Sequence, residues 1–241
     1  MDFSFRSASL TRPFYRGELV DLIVPTLRHV EETSWPDWIN SQRTNRYTSH
    51  AVLANTLEDQ REFYDSLRTG SRFALLITRS GDERPIGIVS LSGLDFRQRS
   101  AAIAIVMDTE TEVPTPPLAS LEAMAIMTQH GFDVMGLNRI DAGQAYPALV
   151  RWNRLLEILG YRAEGFKKQA FVRGHSASDV VMLACLYENY LDLTLRRNGD
   201  LWPGTSEARR QISTIPKKAF AELLHEKIYA LELDYFTARE T

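Results

Sequence analysis

Hydrophobic positions change their period several times along the chain, and those changes predict its elements. Leu19, Leu22, Ile23, Leu27 and Val30 recur at spacings of three and four, which predicts helix within residues 10–40, divided in two at Pro25. The period is lost at Trp35-Pro36-Asp37-Trp38, which reads as loop. Asn55-Thr56-Leu57-Glu58-Asp59-Gln60 sets a polar cap before acidic residues and predicts a helix start. That helix carries Phe63 and Leu67 on one face and stops near Gly70. Three apolar runs follow, at residues 73–78, 85–91 and 101–107, the first two divided by the turn Ser80-Gly81-Asp82; they predict an antiparallel meander. Leu121, Met124, Ala125, Thr128 and Phe132 then mark a helix over 118–132. A strand at 139–143, a helix at 148–159 ended by Gly160, a strand from Tyr161 and a buried strand at 180–186 complete the series.

The order β-β-β-α-β-α-β-β behind a helical N-terminal segment predicts an α/β (α+β) domain over residues 1–189, with 190–241 as a linker and helical extension. The extension holds the polar stretch Asn198-Gly199-Asp200-Leu201-Trp202-Pro203-Gly204 and a helix from about Pro216. Phe220, Leu223, Leu224, Ile228, Leu231 and Tyr235 form the apolar stripe of that helix. Two readings of the stripe stand: it packs on the same domain, or it meets a partner, a second copy included.

Composition narrows the function classes. At about 100–200 residues per domain, 241 residues make one large domain or one with an appendage. A hydrophobic fraction of 44% with 24% charged residues excludes wholesale disorder. The net charge of −3 argues against a general nucleic-acid binder. One cysteine, Cys185, excludes an internal disulfide and any multi-cysteine metal site. No apolar run approaches roughly 18 residues, and the N-terminal residues do not read as a signal peptide, so the expectation is a cytoplasmic protein without a membrane partner. The five histidines show no metal-ligand spacing, and Cys185 reads as an inert core thiol.

Four segments, spread over roughly residues 8–188, resemble the GNAT (Gcn5-related N-acetyltransferase) superfamily, in particular its RimJ/RimL-like branch. They are Leu10-Thr11-Arg12-Pro13 with the helix start at Asn55; Pro85-Ile86-Gly87-Ile88-Val89-Ser90-Leu91; Gly131-Phe132 with Gly136-Leu137-Asn138-Arg139-Ile140-Asp141-Ala142; and Leu156-Glu157-Ile158-Leu159-Gly160-Tyr161 running on to Gly174 and Asp179. The resemblance implies a central mixed β-sheet flanked by helices, here with a C-terminal helical extension. It also implies that acyl-CoA lies in an opening between two splayed parallel strands, its pyrophosphate on the N-terminus of the next helix. By that alignment the strand backbone at Val106 and Met107, the amides of Leu118, Ala119 and Ser120, and Asn153 are expected to hold the donor. Trp38, Arg43 and Tyr47, with Trp35 and Arg46, line the acceptor side.

The sequence departs from the family at two places. The glycine-rich phosphate segment is replaced by Thr115-Pro116-Pro117-Leu118-Ala119-Ser120, and two prolines remove two N–H donors. The Asn and Ser that the family often carries in the following helix fall on Leu149 and Trp152.

The implied function is N-acyl transfer from a thioester donor, acetyl-CoA or another acyl-CoA, to a primary amine on a small molecule or peptide. No metal is called for. Tyr146 is the first choice for general acid, with Tyr161 second. Asp108, Glu110 and Glu112 are positioned to take the amine proton, and a backbone N–H near Val106–Asp108 to polarise the carbonyl. An acyl carrier protein offers the same phosphopantetheine arm without a nucleotide, so a weakened phosphate cradle fits that donor too. A non-catalytic GNAT-fold binding module is the alternative from another class. The acceptor is not legible, since the branch includes protein N-terminal, antibiotic, amino-acid and amino-sugar acylation.

Overall fold

The computed structural model describes residues 12–48, 50, 52–67, 69–109 and 116–238. Among them the order is β1 (Pro13–Arg16), β2 (Val20–Ile23), α1 (Leu27–Glu32), α2 (Trp35–Asn40), α3 (Leu57–Ser66), β3 (Arg72–Arg79), β4 (Pro85–Asp95), β5 (Ser100–Met107), α4 (Pro116–Asp133), β6 (Arg139–Tyr146), α5 (Val150–Glu157), β7 (Arg162–Arg173), β8 (Ser176–Leu186), α6 (Tyr187–Arg196), α7 (Thr205–Thr214) and α8 (Phe220–Thr237). The strands form one eight-stranded sheet in the order β1-β2-β3-β4-β5-β6-β8-β7. β1–β2, β2–β3, β6–β8 and β7–β8 pair antiparallel; β5 and β6, joined through α4, run parallel.

The chain divides into two compact units. Among the described residues, one holds those up to Leu91 with those of 105–126, the other those of 92–104 and those from Met127 onward. In the first unit, Ile23, Val30, Trp35, Trp38, Ile39, Leu76 and Ile88 form a core against which Phe63 and Val106 pack. In the second, Leu137, Ile140, Leu156, Leu159, Tyr161, Val181, Leu183 and Leu201 are all buried.

Two local expectations are corrected in the first unit. Residues 19–23 are not helical: Val20–Ile23 is a strand between β1 and β3, buried at every position. A strand covered on both faces shows no alternation, so its apolar residues fall on helical spacings by coincidence. Trp35–Asn40 is a helix, not a loop, with Pro36 in its first turn, where a missing N–H and a fixed φ start a helix instead of breaking it. The α3 start behaves as its sequence suggests. The Thr56 hydroxyl accepts from the Asp59 N–H at 3.2 Å, and the Asp59 carboxylate accepts from the Thr56 N–H at 2.7 Å.

Buried polar groups pin the turns of this unit. Glu122, in the middle of α4 and 1% exposed, accepts from the backbone N–H groups of Glu18, Leu19 and Val20 at 2.5, 2.8 and 3.1 Å. A Cβ on Gly17 would come within 2.7 Å of the same carboxylate, so glycine is required there. Asp21 accepts from Gly17 and Gly81, joining the β1–β2 and β3–β4 turns.

In the second unit α5 runs into Gly160 at φ +85°, the left-handed cap its sequence predicts. Residues 197–201 are tied down: Arg197 donates to the carbonyls of Ile158 and Leu201, and Gln129 bonds both Gly199 and Leu201. α8 lies against β7 and α5 through Ala221, Leu224, His225, Ile228 and Glu232, whereas Phe220, Leu223, Leu231 and Tyr235 are exposed. No helix among the described residues is long and apolar enough to cross a membrane.

Candidate active site

The parallel pair is where the sheet is interrupted. β5 and β6 are registered through Ser100–Arg139, Ala101–Ile140 and Ala102–Asp141, and the ladder stops there although β6 continues to Tyr146. On its other edge β6 is paired with β8 at all eight positions, from Arg139–Leu186 to Tyr146–Asp179. From Ala142 onward the β5-facing edge of β6 therefore has no ladder partner in β5.

Asn153 is the most unusual side chain in the second unit. It sits on α5, is fully buried, and neither its amide oxygen nor its amide nitrogen has a hydrogen-bond partner. Burying an amide without partners costs about 1–3 kcal/mol in proteins, and such groups are rare enough to point to an absent ligand or water. Its backbone N–H donates to Leu149 in the ordinary helical manner, so only the side chain is unsatisfied.

Tyr146 closes β6 and is half-buried within an aromatic group. Its ring lies 4.6 Å from His225 of α8 and 5.1 Å from Phe166 of β7, centroid to centroid. His225 stands 3.5 Å from the Asp179 carboxylate, which also accepts from the Tyr229 hydroxyl at 2.7 Å and the Gln169 N–H at 3.0 Å. These donors, Gln169 foremost, then Tyr229 and His225, hold the Asp179 carboxyl below its ordinary range. Burial, then the charges of Glu222 and Glu226, push the Tyr146 phenol up, so it keeps its proton across neutral pH. Tyr161 is a different kind of residue: fully buried, with its hydroxyl 2.7 Å from Thr128. Burial pushes its phenol well up as well.

The remaining sequence-derived residues belong to the first unit. Asp108 follows β5 and is 5% exposed, not on a solvated loop; its N–H donates to the Ile86 carbonyl of β4 at 2.8 Å. Amides alternate edges along a strand, so the Val106 N–H shares that β4 side and the Met107 N–H points to the opposite edge. Leu118, Ala119 and Ser120 are buried in the first turns of α4, which opens on Pro116 and Pro117. Glu110 and Glu112 lie outside the described residues. Trp38 is 2% exposed in the core with its indole N–H on Ser34, whereas Arg43 and Tyr47 are exposed in the 42–47 turn. Buried Asn45 shapes that turn by donating to the carbonyls of Trp38, Ile39 and Ser41. The turn reaches the end of β5, where the Thr44 and Thr109 hydroxyls are 2.9 Å apart.

Sequence reasoning missed the parts played by Asp179 and His225. Asp179 is separated from Tyr146 by 33 positions and His225 by 79, and only the β6–β8 register and the packing of α8 bring them to it. No signal in the linear chain marks that meeting.

No protein-family model and no curated protein sequence matches the chain. Solved structures do. A spermidine N-acetyltransferase from Vibrio cholerae, in complex with CoA and spermine, superposes with a TM-score of 0.62 at 17% identity, over 73% of this chain and 99% of that one. Mycobacterium smegmatis RimJ in complex with CoA-disulfide gives 0.61 at 17%, over 77% and 93%. A GNAT-family acetyltransferase from Bacillus anthracis gives 0.59 at 21%, over 72% and 98%. Together with the strand order and the interrupted parallel pair, these likenesses establish that the chain carries the GNAT acetyltransferase fold.

Proposed function

We propose that the protein is a GNAT-type N-acyltransferase that takes an acyl group from a phosphopantetheine thioester, acyl-CoA in the first instance, and places it on a primary amine. The observation that carries this reading is Asn153: a fully buried amide with both polar atoms unpaired, in the second unit, which also contains the β6 edge without a ladder partner in β5. The pantetheine arm is a short chain with two amides. It can bond strand backbone through one and offer Asn153 both a donor and an acceptor.

In the reaction, the neutral amine attacks the thioester carbonyl carbon, the C–S bond breaks, and an amide and a thiol result. Asp108 is assigned the proton lost by the amine, directly or through water. The Met107 N–H is assigned to the carbonyl oxygen, where a fixed donor stabilises developing charge. Tyr146 is assigned the proton given to the departing sulfur; its raised pKa suits an acid that must arrive protonated. Arg43 and Tyr47 remain the acceptor-side choices.

One observation favours a second donor. Pro116 and Pro117 occupy the first two positions of α4, so two of the four N–H groups that a helix start normally offers to a pyrophosphate are missing. An acyl carrier protein presents the pantetheine arm without that pyrophosphate. Titration calorimetry with acetyl-CoA and CoA tests the main reading, and micromolar binding that Asn153→Ala weakens at least tenfold is expected. Turnover with acyl-carrier protein but not with acyl-CoA selects the second donor. Silence toward every pantetheine thioester refutes both and leaves a non-catalytic module.

A further inference from the structure

α8 presents two faces of opposite character. The inner one, Ala221, Leu224, His225, Ile228 and Glu232, is docked on the second unit. At about 100° per residue, Phe220, Leu223, Lys227, Ala230, Leu231 and Asp234 fall together on the outer side, and all six are exposed. Three are large and apolar: Phe220 is 50% exposed, Leu223 47% and Leu231 67%. Tyr235 adds exposed aromatic surface beside them. Contiguous exposed apolar surface of this kind marks an interaction site on a folded protein.

Two charges within this stripe say what covers it, Glu226 beside it being paired with Lys218. Lys227 and Asp234 are equally far from the midpoint between Ala230 and Leu231. When an identical helix is laid antiparallel with its dyad at that midpoint, Lys227 falls opposite the second copy's Asp234, and Asp234 opposite its Lys227. The same operation sets Leu231 against Ala230 and Leu223 against Ala238, so large residues meet small ones. Lys227, Ala230, Leu231 and Asp234 thus map onto one another with matched charge or size, and Leu223 maps onto Ala238 just past the helix end. A parallel pair instead opposes Lys227 to Lys227 and Asp234 to Asp234. We infer that the outer face of α8 is a homodimer interface, an antiparallel two-fold helix pair centred between Ala230 and Leu231. Neither Asn153 nor the acyl-transfer reading enters this inference.

Light scattering coupled to size exclusion, at micromolar concentrations of the full chain, is expected to give twice the chain mass. Leu231→Glu, with circular dichroism confirming the fold, is expected to give the monomer. Lys227→Asp sets two like-charge pairs across the interface and is expected to weaken association at least about tenfold, and adding Asp234→Lys restores it. Under mild oxidation Ala230→Cys, beside the dyad, is expected to form an interchain disulfide, and Leu223→Cys, far from its own copy, is not. A monomer at all concentrations overturns the proposal, including the case in which an unrelated protein covers this face. A dimer indifferent to Leu231→Glu overturns it as well, and equal crosslinking at both cysteines shows a parallel pair and does the same.

Discussion

Replacing Asn153 by valine separates the two things a buried unpaired amide can be, a packing fault or a ligand contact. A buried valine takes up nearly the volume of a buried asparagine and has no polar atoms, so the substitution removes the desolvation penalty with little change in packing. An amide buried without partners costs about 1–3 kcal/mol, so the ligand-free variant should gain about 2 kcal/mol. For a chain of this size, 1 kcal/mol moves Tm by about 2–4 °C, which gives a rise of about 4–8 °C. Binding should move the other way. Two lost hydrogen bonds at about 1 kcal/mol each correspond to roughly thirtyfold weaker binding of the pantetheine thioester. Thermal melts of both proteins, with and without saturating CoA, read both effects at once. The expected pattern is a higher melt without ligand and a smaller ligand-induced rise. A variant that melts lower without ligand, or whose response to CoA equals that of the natural chain, refutes the reasoning.

Three further predictions concern Glu122, Asp179 and Cys185. Glu122→Ala strands three backbone donors, of which the Val20 N–H is buried and the other two are partly so. The expected loss is about 3–5 kcal/mol in denaturant unfolding, and a loss under 1 kcal/mol contradicts the role given to that carboxylate. Asp179 has a folded pKa below its unfolded one, so the stability it adds is full above the ordinary aspartate range and is lost as pH falls through the depressed value. Protection of the α8 amides, measured relative to their intrinsic exchange rate at each pH, should therefore fall on acidification into that range, and Asp179→Asn should show the lower protection already at neutral pH. If exchange is unchanged in the variant, Asp179 does not tether the helix. Burial pushes the Cys185 thiol up to about 12, so a thiol reagent at pH 8 should label the native protein only as it unfolds; prompt labelling contradicts the burial.

The long elements were legible because each announces itself locally. α4 is apolar enough to be enclosed on most sides, α3 carries its capping box, and α5 ends at a glycine that adopts the left-handed conformation. The misreadings at β2 and α2 have one cause. A strand buried on both faces and a helix whose proline lies in its first turn both erase the signal by which their type is recognised. Of the residues proposed for the site, Tyr146 and Asn153 were legible as residue types near the end of β6 and within α5, and Asp108 as a carboxylate after β5.

What the sequence determines by itself is the succession of elements from α3 to β8, the proline pair that opens α4, and a C-terminal helix with more apolar residues than one face can use. Periodicity, caps and missing donors are properties of neighbours in the chain, so no folding is needed to read them. Only the tertiary structure decided that the β5–β6 ladder stops after three pairs, that the Asn153 amide is buried with nothing to bond, and that His225 lies against Tyr146. These depend on strand register and on surface removed from water, which arise from contacts between segments tens of residues apart, and no local pattern encodes them.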